Sequence, residues 1–429
     1  MRYDPIDNQL FIDNRKRLAK GLKPGAIAIF NANDVMPSNA DGVLPFVQNT
    51  DLFYLTGIDQ EETILIVCPD AHGEKHKEIL FLRETSEKIA IWEGHKYTKQ
   101  EAKKISGIET IYWTSEFDNI FGPMALESER IYLNTNEHLR FDPVVETRDM
   151  RFLHRCQKRF PLHRYERLAP LMHHLRHIKS EREIEIIRKA CRITEKAFRR
   201  LLTFIKPGRW EYEVEAEIYH TFLSCGCRRP AFQSIIASGA DNCVLHYVSN
   251  HKKMADGGLV LIDFGAEYAG WASDITRTVP VNGRFTKRQL AVYNAVLRVM
   301  RNATAMLVPG NTLDRYHKAV GKLMEKELID LGLLSLDAVK QQPEGRPLYK
   351  KYFMHGTSHS LGLDVHDYGN RNRPFEAGMV FTCEPGIYIQ AEGLGIRLEN
   401  DILITDEKPV DLTADIPIEP DAIETLMNP

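Results

Sequence analysis

Apolar and polar positions alternate in short blocks over the first third of the chain. Compact apolar runs at residues 26–30, 63–68 and 79–82 are bounded by polar turn residues, which is typical of buried β-strands. Stretches with apolar residues at helical spacing lie between these runs. The pattern therefore predicts a small domain that mixes α-helices with β-strands.

Helical signals become stronger near residue 180, where a second folding unit begins. Ser180 and Glu183 form a capping box ahead of a long amphipathic run, and Thr286 and Gln289 form a second box. A third helix is predicted over residues 312–332. Residues 334–349 are interpreted as a surface loop. The predicted strands of this part are residues 259–264, 271–280, 379–384 and 395–405.

Length and composition support a two-domain globular protein. The chain has 429 residues, of which 43% are hydrophobic and 27% are charged. At about 150 residues per domain this length favours more than one domain, and we place the predicted boundary between residues 1–172 and 173–429. Such a composition excludes wholesale disorder and fibrous architecture.

The charge and cysteine content predict the setting in which the protein works. A net charge of -3 gives no global attraction to nucleic acid, and the basic residues 151–179 are interpreted as a solvated or inter-domain surface. No apolar run approaches the about 18 residues of a membrane span. Seven scattered cysteines and the lack of a visible secretory signal suit a reducing compartment. We therefore expect a cytoplasmic protein without nucleic-acid or membrane partners.

Two carboxylates in neighbouring predicted strands are the first candidates for chemistry. Asp263 ends an apolar run, and Asp274 follows eleven positions later. In a hairpin with an even loop they would face each other, with Cβ atoms about 4.5–5.5 Å apart. Two bare carboxylates at that distance repel, so either a cation lies between them or backbone amides cap them. The spacing alone leaves both possibilities open.

A glycine-containing segment carries three histidines within twelve residues, at His355, His359 and His366. Imidazole is a common metal ligand, although a single buried histidine is more often structural. Gly356 and Gly362 interrupt regular structure, so the spacing does not tell which histidine binds a metal.

Further acidic residues follow or alternate along later apolar runs. Glu384 comes directly after residues 379–383, and Arg397, Glu399 and Asp401 are predicted to share one strand face. Alternation cannot choose between Glu399 and Asp401 as a ligand. Arg397 could also form a simple salt bridge with either neighbour.

The charges of these groups match those of a binuclear metal site. Two Asp, two Glu and one neutral His carry a charge of −4, which two divalent cations balance. Oxygen-rich ligation with a single nitrogen favours hard or borderline ions, so Mn²⁺ is expected rather than a thiolate-type zinc site.

Taken together, these segments resemble a known family. The residues 263–265, 270–278, 355–367, 384–386 and 397–399 are similar to the motifs of the proline-specific peptidases of the pita-bread metallopeptidase family, in particular its aminopeptidase P branch. Residues 39–41, 48–57 and 91–94 look like the N-terminal domain of that family. The resemblance implies an α/β (α+β) fold, with a small N-terminal α/β domain. A pita-bread catalytic domain would follow, with a curved, mostly antiparallel sheet covered by helices.

The resemblance also implies a role for individual residues. The five metal ligands of the family fall on Asp263, Asp274, His359, Glu384 and Glu399, which favours His359 and Glu399 where spacing left a choice. Arg397 and Asp41 match a supporting proton-relay pair. The remaining matches are the substrate-contacting His246, the supporting or intermediate-stabilising His355 and His366, and Tyr388 and Trp92 near the substrate, the latter reaching a neighbouring subunit.

The implied activity is that of an Xaa-Pro aminopeptidase, which removes the N-terminal residue from peptides with proline in second position. Two divalent cations, with Mn²⁺ favoured, would generate a hydroxide that attacks the carbonyl before proline. Glu384 would move a proton to the leaving nitrogen, and His246 and His366 would stabilise the oxyanion. We expect proline-containing peptides as substrates and a homodimer or homotetramer as the assembly.

Three other functions remain open from the sequence. A prolidase would use the same five ligands on Xaa-Pro dipeptides. A creatinase-type hydrolase shares the fold but lacks the ligand set, whereas all five positions are filled here. A non-catalytic pita-bread binding protein, using the basic residues 151–179, would have no need of metal ligands.

Overall fold

The computed structural model of the chain describes residues 2–369 and 372–428. Its helices are α1 (Gln9–Gly21), α2 (Thr50–Thr56), α3 (Glu87–Glu93), α4 (Lys99–Ser106), α5 (Phe117–Glu127), α6 (Arg148–Arg159), α7 (Ala169–His177), α8 (Glu181–Phe204), α9 (Glu211–Ser224), α10 (Lys287–Thr304), α11 (Leu313–Asp330), α12 (Leu336–Lys340) and α13 (Pro420–Met427). Its strands are β1 (Ala26–Asn31), β2 (Ile64–Val67), β3 (Glu78–Leu82), β4 (Thr110–Trp113), β5 (Arg130–Leu133), β6 (Arg164–Arg167), β7 (Ile235–Ser238), β8 (Leu259–Phe264), β9 (Glu267–Tyr268), β10 (Trp271–Ala272), β11 (Ile275–Pro280), β12 (Val380–Cys383), β13 (Gly386–Ile389), β14 (Leu394–Arg397), β15 (Asn400–Leu403) and β16 (Val410–Asp411).

Contacts within the chain divide it into two compact units. The first is Asp4–Arg176, and the second comprises His177–Pro429 with Met1–Tyr3. The predicted boundary between residues 172 and 173 lies close to this division, and as a domain boundary it stays a prediction.

The first unit is built on a mixed six-stranded sheet with the strand order β4-β3-β2-β1-β5-β6. β2 pairs antiparallel with β1 and β3, whereas the outer pairs are parallel. Phe81, Phe117 and Phe121 belong to a core cluster that covers the sheet. The strands predicted at residues 26–30, 63–68 and 79–82 correspond to β1, β2 and β3, so the prediction of an α/β unit is confirmed.

The second unit contains short antiparallel sheets covered by long helices. The strand orders are β11-β8-β7, β12-β15-β16 and β13-β14. Helices α8 and α10 begin at the predicted capping boxes of Ser180 and Thr286, and α11 begins after Thr312 as expected. α10 lies against β12 and β14, which flank the acidic residues of interest. Among the described residues, every helix is too short or too polar to cross a membrane.

Three details of the second unit differ from the sequence prediction. The predicted strand at residues 271–280 is interrupted after Ala272, and that at 395–405 is interrupted after Arg397. At both breaks a backbone N–H bonds to a group outside the strand pair to which it was predicted to belong. Asp274 N–H donates to the side chain of Asp401, and Glu399 N–H donates to Thr276 O. The predicted loop at residues 334–349 contains α12, which Ser335 caps by accepting a hydrogen bond from Ala338 N–H.

The basic stretch in the first unit is extensively ion-paired. Arg151 Nη2 lies 2.6 Å from Asp34 Oδ1, and Arg176 Nη1 lies 2.9 Å from Asp51 Oδ1 in the interior. Arg167 pairs with Glu137. These acidic partners offset much of the positive charge locally. The predicted solvated surface therefore fits the exposed Arg151 and Arg167 but not the buried Arg176.

Candidate metal and active site

Asp263 and Asp274 lie on either side of a point where the backbone at Gly265 passes very close to that at Ser273, here called the crossing. Asp263 is in β8 and pairs directly with Thr276 of β11, so Asp274 is displaced by two residues along the ladder. The prediction that the two aspartates face each other directly is therefore wrong, although a shift of two residues keeps both on one face. A Cβ at Gly265 would come within 1.8 Å of Ser273 O, so only glycine permits this crossing.

The histidine-rich segment runs beside β12 and brings His359 close to Glu384. His359 N–H donates to Thr382 Oγ1 at 3.1 Å, and Thr382 N–H donates to His359 O at 2.9 Å. Glu384 directly follows β12, and its N–H donates to Thr357 O at 2.8 Å. The segment is therefore held by backbone bonds although residues 355–359 form no regular helix or strand, as its glycine content predicts.

Glu399 and Asp401 occupy different environments. Glu399 lies between β14 and β15, where its Oε2 accepts a hydrogen bond from Thr276 Oγ1 at 2.6 Å. Asp401 is in β15, and its Oδ2 accepts the backbone N–H of Asp274 at 3.0 Å. The prediction that Arg397, Glu399 and Asp401 share one face of a single strand is therefore wrong, because the strand is interrupted between them. Asp401 supports the backbone of Asp274 from behind.

Four acidic residues and one histidine converge in the second unit. Ligand atoms of Asp274, His359 and Glu399 all lie within 4.8 Å of one another. His359 Nε2 is 3.4 Å from Asp274 Oδ2, 3.9 Å from Glu384 Oε1 and 4.0 Å from Glu399 Oε1. A cation about 2.1 Å from each of two ligand atoms holds those atoms about 3–4 Å apart, so the spacing fits shared metal ligation. Asp263 completes the group through its electrostatic interaction with Asp274.

The electrostatics of the cluster favour bound cations. Burial raises the pKa of Asp274 well above its ordinary value, and the negative charges of Glu399 and Asp263 raise it further. Burial and the charges of Glu384 and Asp263 do the same to the pKa of Glu399. Asp263 Oδ1 and Asp274 Oδ1 are buried without a hydrogen-bond donor. Since buried anionic oxygens are unfavourable without a partner, these atoms fit the ligand positions of a divalent cation.

Arg397 lies next to the cluster and is held by three different partners. Its Nη2 donates to Asp263 Oδ2 at 2.6 Å, its Nε to Thr276 Oγ1 at 3.0 Å and its Nη1 to Tyr388 Oη at 3.0 Å. Tyr388 Oη is also 2.8 Å from His355 Nε2. Burial, followed by the charge of Arg397, lowers the pKa of His355 to about 3, so this histidine is neutral and its Nε2 accepts a hydrogen bond from the Tyr388 hydroxyl.

The other predicted residues are placed as follows. His366 stacks edge-on against His359, with ring centroids 4.3 Å apart. His246 is exposed in a turn after β7, and its charge acts on Asp263 and His355. Asp41 and Trp92 belong to the first unit, where Asp41 lies in an exposed turn and Trp92 is 81% exposed on α3. Their predicted roles, like those of the ligands, stay proposals.

Sequence reasoning missed the roles of two residues that organise the cluster, because it did not single out Thr276 and considered Asp401 only as an alternative metal ligand to Glu399. Thr276 accepts from Arg397 and donates to Glu399, so one hydroxyl connects the arginine to an acidic residue of the cluster. The side chain of Asp401 accepts a hydrogen bond from the backbone N–H of Asp274 and so fixes that residue. Burial raises the pKa of Asp401 to about 8. A buried polar residue within an apolar strand was the available signal for Thr276, but only the tertiary register shows its partners.

Two family models match the chain. Residues 185–406 match the model of metallopeptidase family M24, and residues 11–132 match that of the aminopeptidase P N-terminal domain. The first match covers the whole acidic cluster and extends over more than half of the chain.

Individual relatives agree with these matches over nearly the full length. The chain is 35% identical to the Xaa-Pro aminopeptidase of Escherichia coli, over 98% of each chain. The structure of aminopeptidase P from E. coli with the inhibitor Pro-Leu superposes with a TM-score of 0.87 at 34% identity, over 99% of each chain. The zinc-substituted form of that enzyme in complex with product matches equally well. These matches confirm the predicted N-terminal domain and pita-bread catalytic domain, and the chain therefore belongs to metallopeptidase family M24.

Proposed function

We propose that this chain is an Xaa-Pro aminopeptidase that removes the N-terminal residue from peptides with proline in second position. The observation that carries the proposal is the close approach of the ligand atoms of Asp274, His359 and Glu399, with Glu384 beside His359, within a full-length match to enzymes of that name. The E. coli structure with the inhibitor Pro-Leu supports a proline-containing substrate. Membership of the metallopeptidase family makes the chain a metal-dependent hydrolase.

The five clustered residues would hold the metal, and we favour two Mn²⁺ ions. Two divalent cations balance the charge of the four carboxylates, and oxygen-rich ligation suits Mn²⁺. When bound, such ions lower the pKa of water toward neutrality and polarise the scissile carbonyl. The unpartnered oxygens of Asp263 and Asp274 support this assignment.

Glu384 is the residue we assign to proton transfer. Its side chain is 18% exposed, whereas that of Glu399 is only 3% exposed, so Glu384 is the more accessible carboxylate to a substrate. Its Oε2 lies 3.5 Å from His355 Nδ1. Glu384 would take the proton of the attacking water and deliver it to the proline nitrogen, which leaves only when protonated.

His246 and His366 would bind the substrate and the developing oxyanion. His246 is solvent-exposed beside the cluster, and His366 contacts the ring of His359. The contacts among Arg397, Tyr388 and His355 would keep the wall of the site rigid. Roles for Asp41 as a proton-relay partner and for Trp92 at a neighbouring subunit's site remain part of the proposal, as do a cytoplasmic location and a homodimer or homotetramer.

A comparison of substrates tests the proposal. The metal-free protein, prepared with a chelator, is reconstituted with Mn²⁺ and assayed on Ala-Pro-Ala, Ala-Pro and Ala-Ala-Ala. We expect hydrolysis of Ala-Pro-Ala only, with activity lost on chelation and restored by Mn²⁺. Equal or faster hydrolysis of Ala-Pro would instead show a prolidase, and chelator-resistant activity would contradict the metal site.

A further inference from the structure

The segment that carries His246, residues 239–252, connects β7 to the strand region before β8 and is here called the His246 loop. Its first part packs tightly on β14, the strand that carries Arg397. Asn242 Oδ1 accepts a hydrogen bond from Gly395 N–H at 2.6 Å, and a Cβ at Gly395 would lie 2.2 Å from Asn242 O. The loop is therefore fixed at its beginning to an element of the site.

The remainder of the loop is held by one buried carboxylate, that of Glu211. The residue is fully buried at the start of α9. Its Oε1 accepts hydrogen bonds from Ser238 N–H at 2.8 Å and Ser238 Oγ at 2.6 Å. Its Oε2 accepts from Tyr247 Oη at 2.8 Å and from Lys252 N–H at 2.9 Å. Four donors occupy the acceptor positions of a carboxylate, and they come from before, within and at the end of the loop.

The backbone around Glu211 reinforces this attachment. Glu211 N–H donates to Lys252 O at 2.9 Å, so the two residues exchange two hydrogen bonds. Arg209 O accepts from Met254 N–H at 2.8 Å one step further along. Because α9 packs on α8 and β7, Glu211 ties the far end of the loop to the rigid part of the unit.

Tyr247 transmits this attachment to His246, its neighbour in the chain. The Tyr247 ring belongs to an apolar cluster with Leu261 of β8 and Tyr388, which contacts Arg397 and His355. His246 itself is exposed. The position of an exposed side chain beside a fixed neighbour depends on that neighbour, so the hydroxyl bond from Tyr247 to Glu211 constrains where the imidazole can reach.

We propose that Glu211 is a positioning residue for His246, which it holds at the substrate side of the acidic cluster through Tyr247 and the ends of the His246 loop. This inference rests on the proposed aminopeptidase function, in which His246 contacts the substrate. Glu211 itself touches no reacting atom. The residue has no place in the family motifs from which the site residues were predicted.

The substitution Glu211→Gln tests the proposal because it keeps the size of the side chain but turns one acceptor into a donor. That amide group would face donors that now bond to the carboxylate. We expect kcat/KM for Ala-Pro-Ala to fall about tenfold to a hundredfold, as displacement of a contacting group does. The matched control is Glu183→Gln, another buried carboxylate in the first turn of a helix, for which we expect unchanged kcat/KM.

A double-mutant cycle separates positioning from a general structural effect. If Glu211 acts through His246, then Glu211→Gln should change kcat/KM by no more than about twofold in the His246→Ala background. Additive losses, or an unchanged kcat/KM in Glu211→Gln alone, would overturn the proposal. Should Glu211→Gln fail to fold, Tyr247→Phe removes only one of the four hydrogen bonds and is expected to give a smaller loss with the same non-additivity.

Hydrogen exchange gives a readout that does not depend on catalysis. Backbone amides of residues 239–252 should exchange faster in Glu211→Gln and Tyr247→Phe, with amides of α8 and β8 unchanged. If the wild-type protein lacks peptidase activity but the two variants show this faster exchange, the proposed function is refuted and the attachment of the loop still holds. Unchanged exchange in the loop of both variants would refute the attachment itself.

Discussion

At the scale of single residues, the cluster depends on carboxylates kept in unfavourable surroundings. Asp263, Asp274 and Glu399 are buried close together, and burial raises the pKa values of all three carboxyl groups. Repulsion by neighbouring carboxylates raises the pKa values of Asp274 and Glu399 further. Arg397 offsets part of this repulsion at Asp263. The residual negative charge provides strong binding for divalent cations, whose charge reverses the effect of burial.

Glu384 offers the clearest test at this scale. Replacing Glu384 with alanine removes the accessible carboxylate next to His359. We therefore expect kcat for Ala-Pro-Ala to fall by about a hundredfold to ten-thousandfold. Metal analysis should find about two ions in the wild type and fewer in Glu384→Ala. The exposed Glu407→Ala variant serves as control, and residual activity near that of the wild type in Glu384→Ala would exclude the assigned proton transfer.

Thr276 tests how the hydrogen bonds of its hydroxyl to Glu399 and Arg397 support the cluster. Thr276→Val keeps the shape but removes the hydroxyl that bonds Arg397 and Glu399, leaving two buried groups with lost partners. We expect a loss of about 1–3 kcal/mol in the free energy of unfolding and about tenfold to a hundredfold weaker metal binding. Thr276→Ser should restore both, as measured by denaturant titration and metal competition. A fully stable Thr276→Val with normal metal affinity would contradict this role.

At the scale of elements, the site is formed where strands end or break. Glu384 follows β12, Glu399 lies between β14 and β15, and Asp274 lies between β10 and β11. Backbone groups released from the ladders at these points bond to neighbouring elements instead, such as Asp274 N–H to Asp401. The irregular backbone thereby brings acidic side chains together that a continuous strand would separate.

Gly265 tests the crossing between Asp263 and Asp274. A methyl group at this position would lie 1.8 Å from the backbone oxygen of Ser273, which cannot move without disturbing the hydrogen bond from Ser273 N–H to Ala266 O. We expect Gly265→Ala to destabilise the protein by about 3 kcal/mol or more, measured by denaturant unfolding. Gly73→Ala, where the nearest atom is 3.8 Å away, should be almost neutral. Similar stability of the two variants would show that the crossing tolerates a side chain.

At the scale of the whole molecule, folding and metal binding are coupled. The clustered carboxylates repel each other in the folded state and separate on unfolding, so the metal-free protein carries an electrostatic penalty. A cation that binds only the folded state removes that penalty and adds its own binding free energy.

Removal of metal should therefore lower thermal stability. Mn²⁺ at a hundred times its dissociation constant should stabilise the folded state by about 2.7 kcal/mol and raise Tm by about 3–5 °C relative to chelated protein. Differential scanning calorimetry with and without chelator measures this shift. The variant Asp274→Asn should lose most of the Mn²⁺-dependent shift, and an equal shift in that variant would place the responsible ions elsewhere.

The stability of the folded chain should also depend on pH through His177. Burial lowers the pKa of this histidine to about 4 from an unfolded value near 6.5, while its Nδ1 bonds Tyr368 O. Because the unfolded state binds the proton more readily, this contribution is fully present above pH 6.5 and is lost as pH falls toward 4. The loss is up to about 3 kcal/mol. In urea titrations between pH 7 and 4.5, the free energy of unfolding of His177→Asn should fall less steeply than that of the wild type. Equal declines in the two proteins would contradict the contribution of His177.

Much of the fold and of the candidate site follows from local sequence signals. The capping boxes at Ser180 and Thr286 predicted the starts of two long helices because their hydrogen bonds form within one turn. Apolar runs predicted β1, β8 and β12, since a buried strand needs no long-range information to be recognised. The family motifs selected His359 and Glu399, a choice that spacing alone left open.

Other features could not be predicted, because they depend on partners far apart in the chain. The register that pairs Asp263 with Thr276, rather than with Asp274, follows from the crossing at Gly265. The separate roles of Glu399 and Asp401 follow from a strand break that no local pattern marks. The buried Glu211 likewise gives no local signal, since its four donors come from residues 27 to 41 positions away.

The sequence by itself determined which residue types are available and where the chain forms helices and strands, because propensity, capping and apolar periodicity act over a few residues. Only the tertiary structure decided which acidic side chains come together in the cluster and which, like Asp401, instead form hydrogen bonds that hold the cluster residues in place. Electrostatic interaction and hydrogen bonding depend on distances of a few ångströms in space, and those distances are set by how the strand ends and loops pack together.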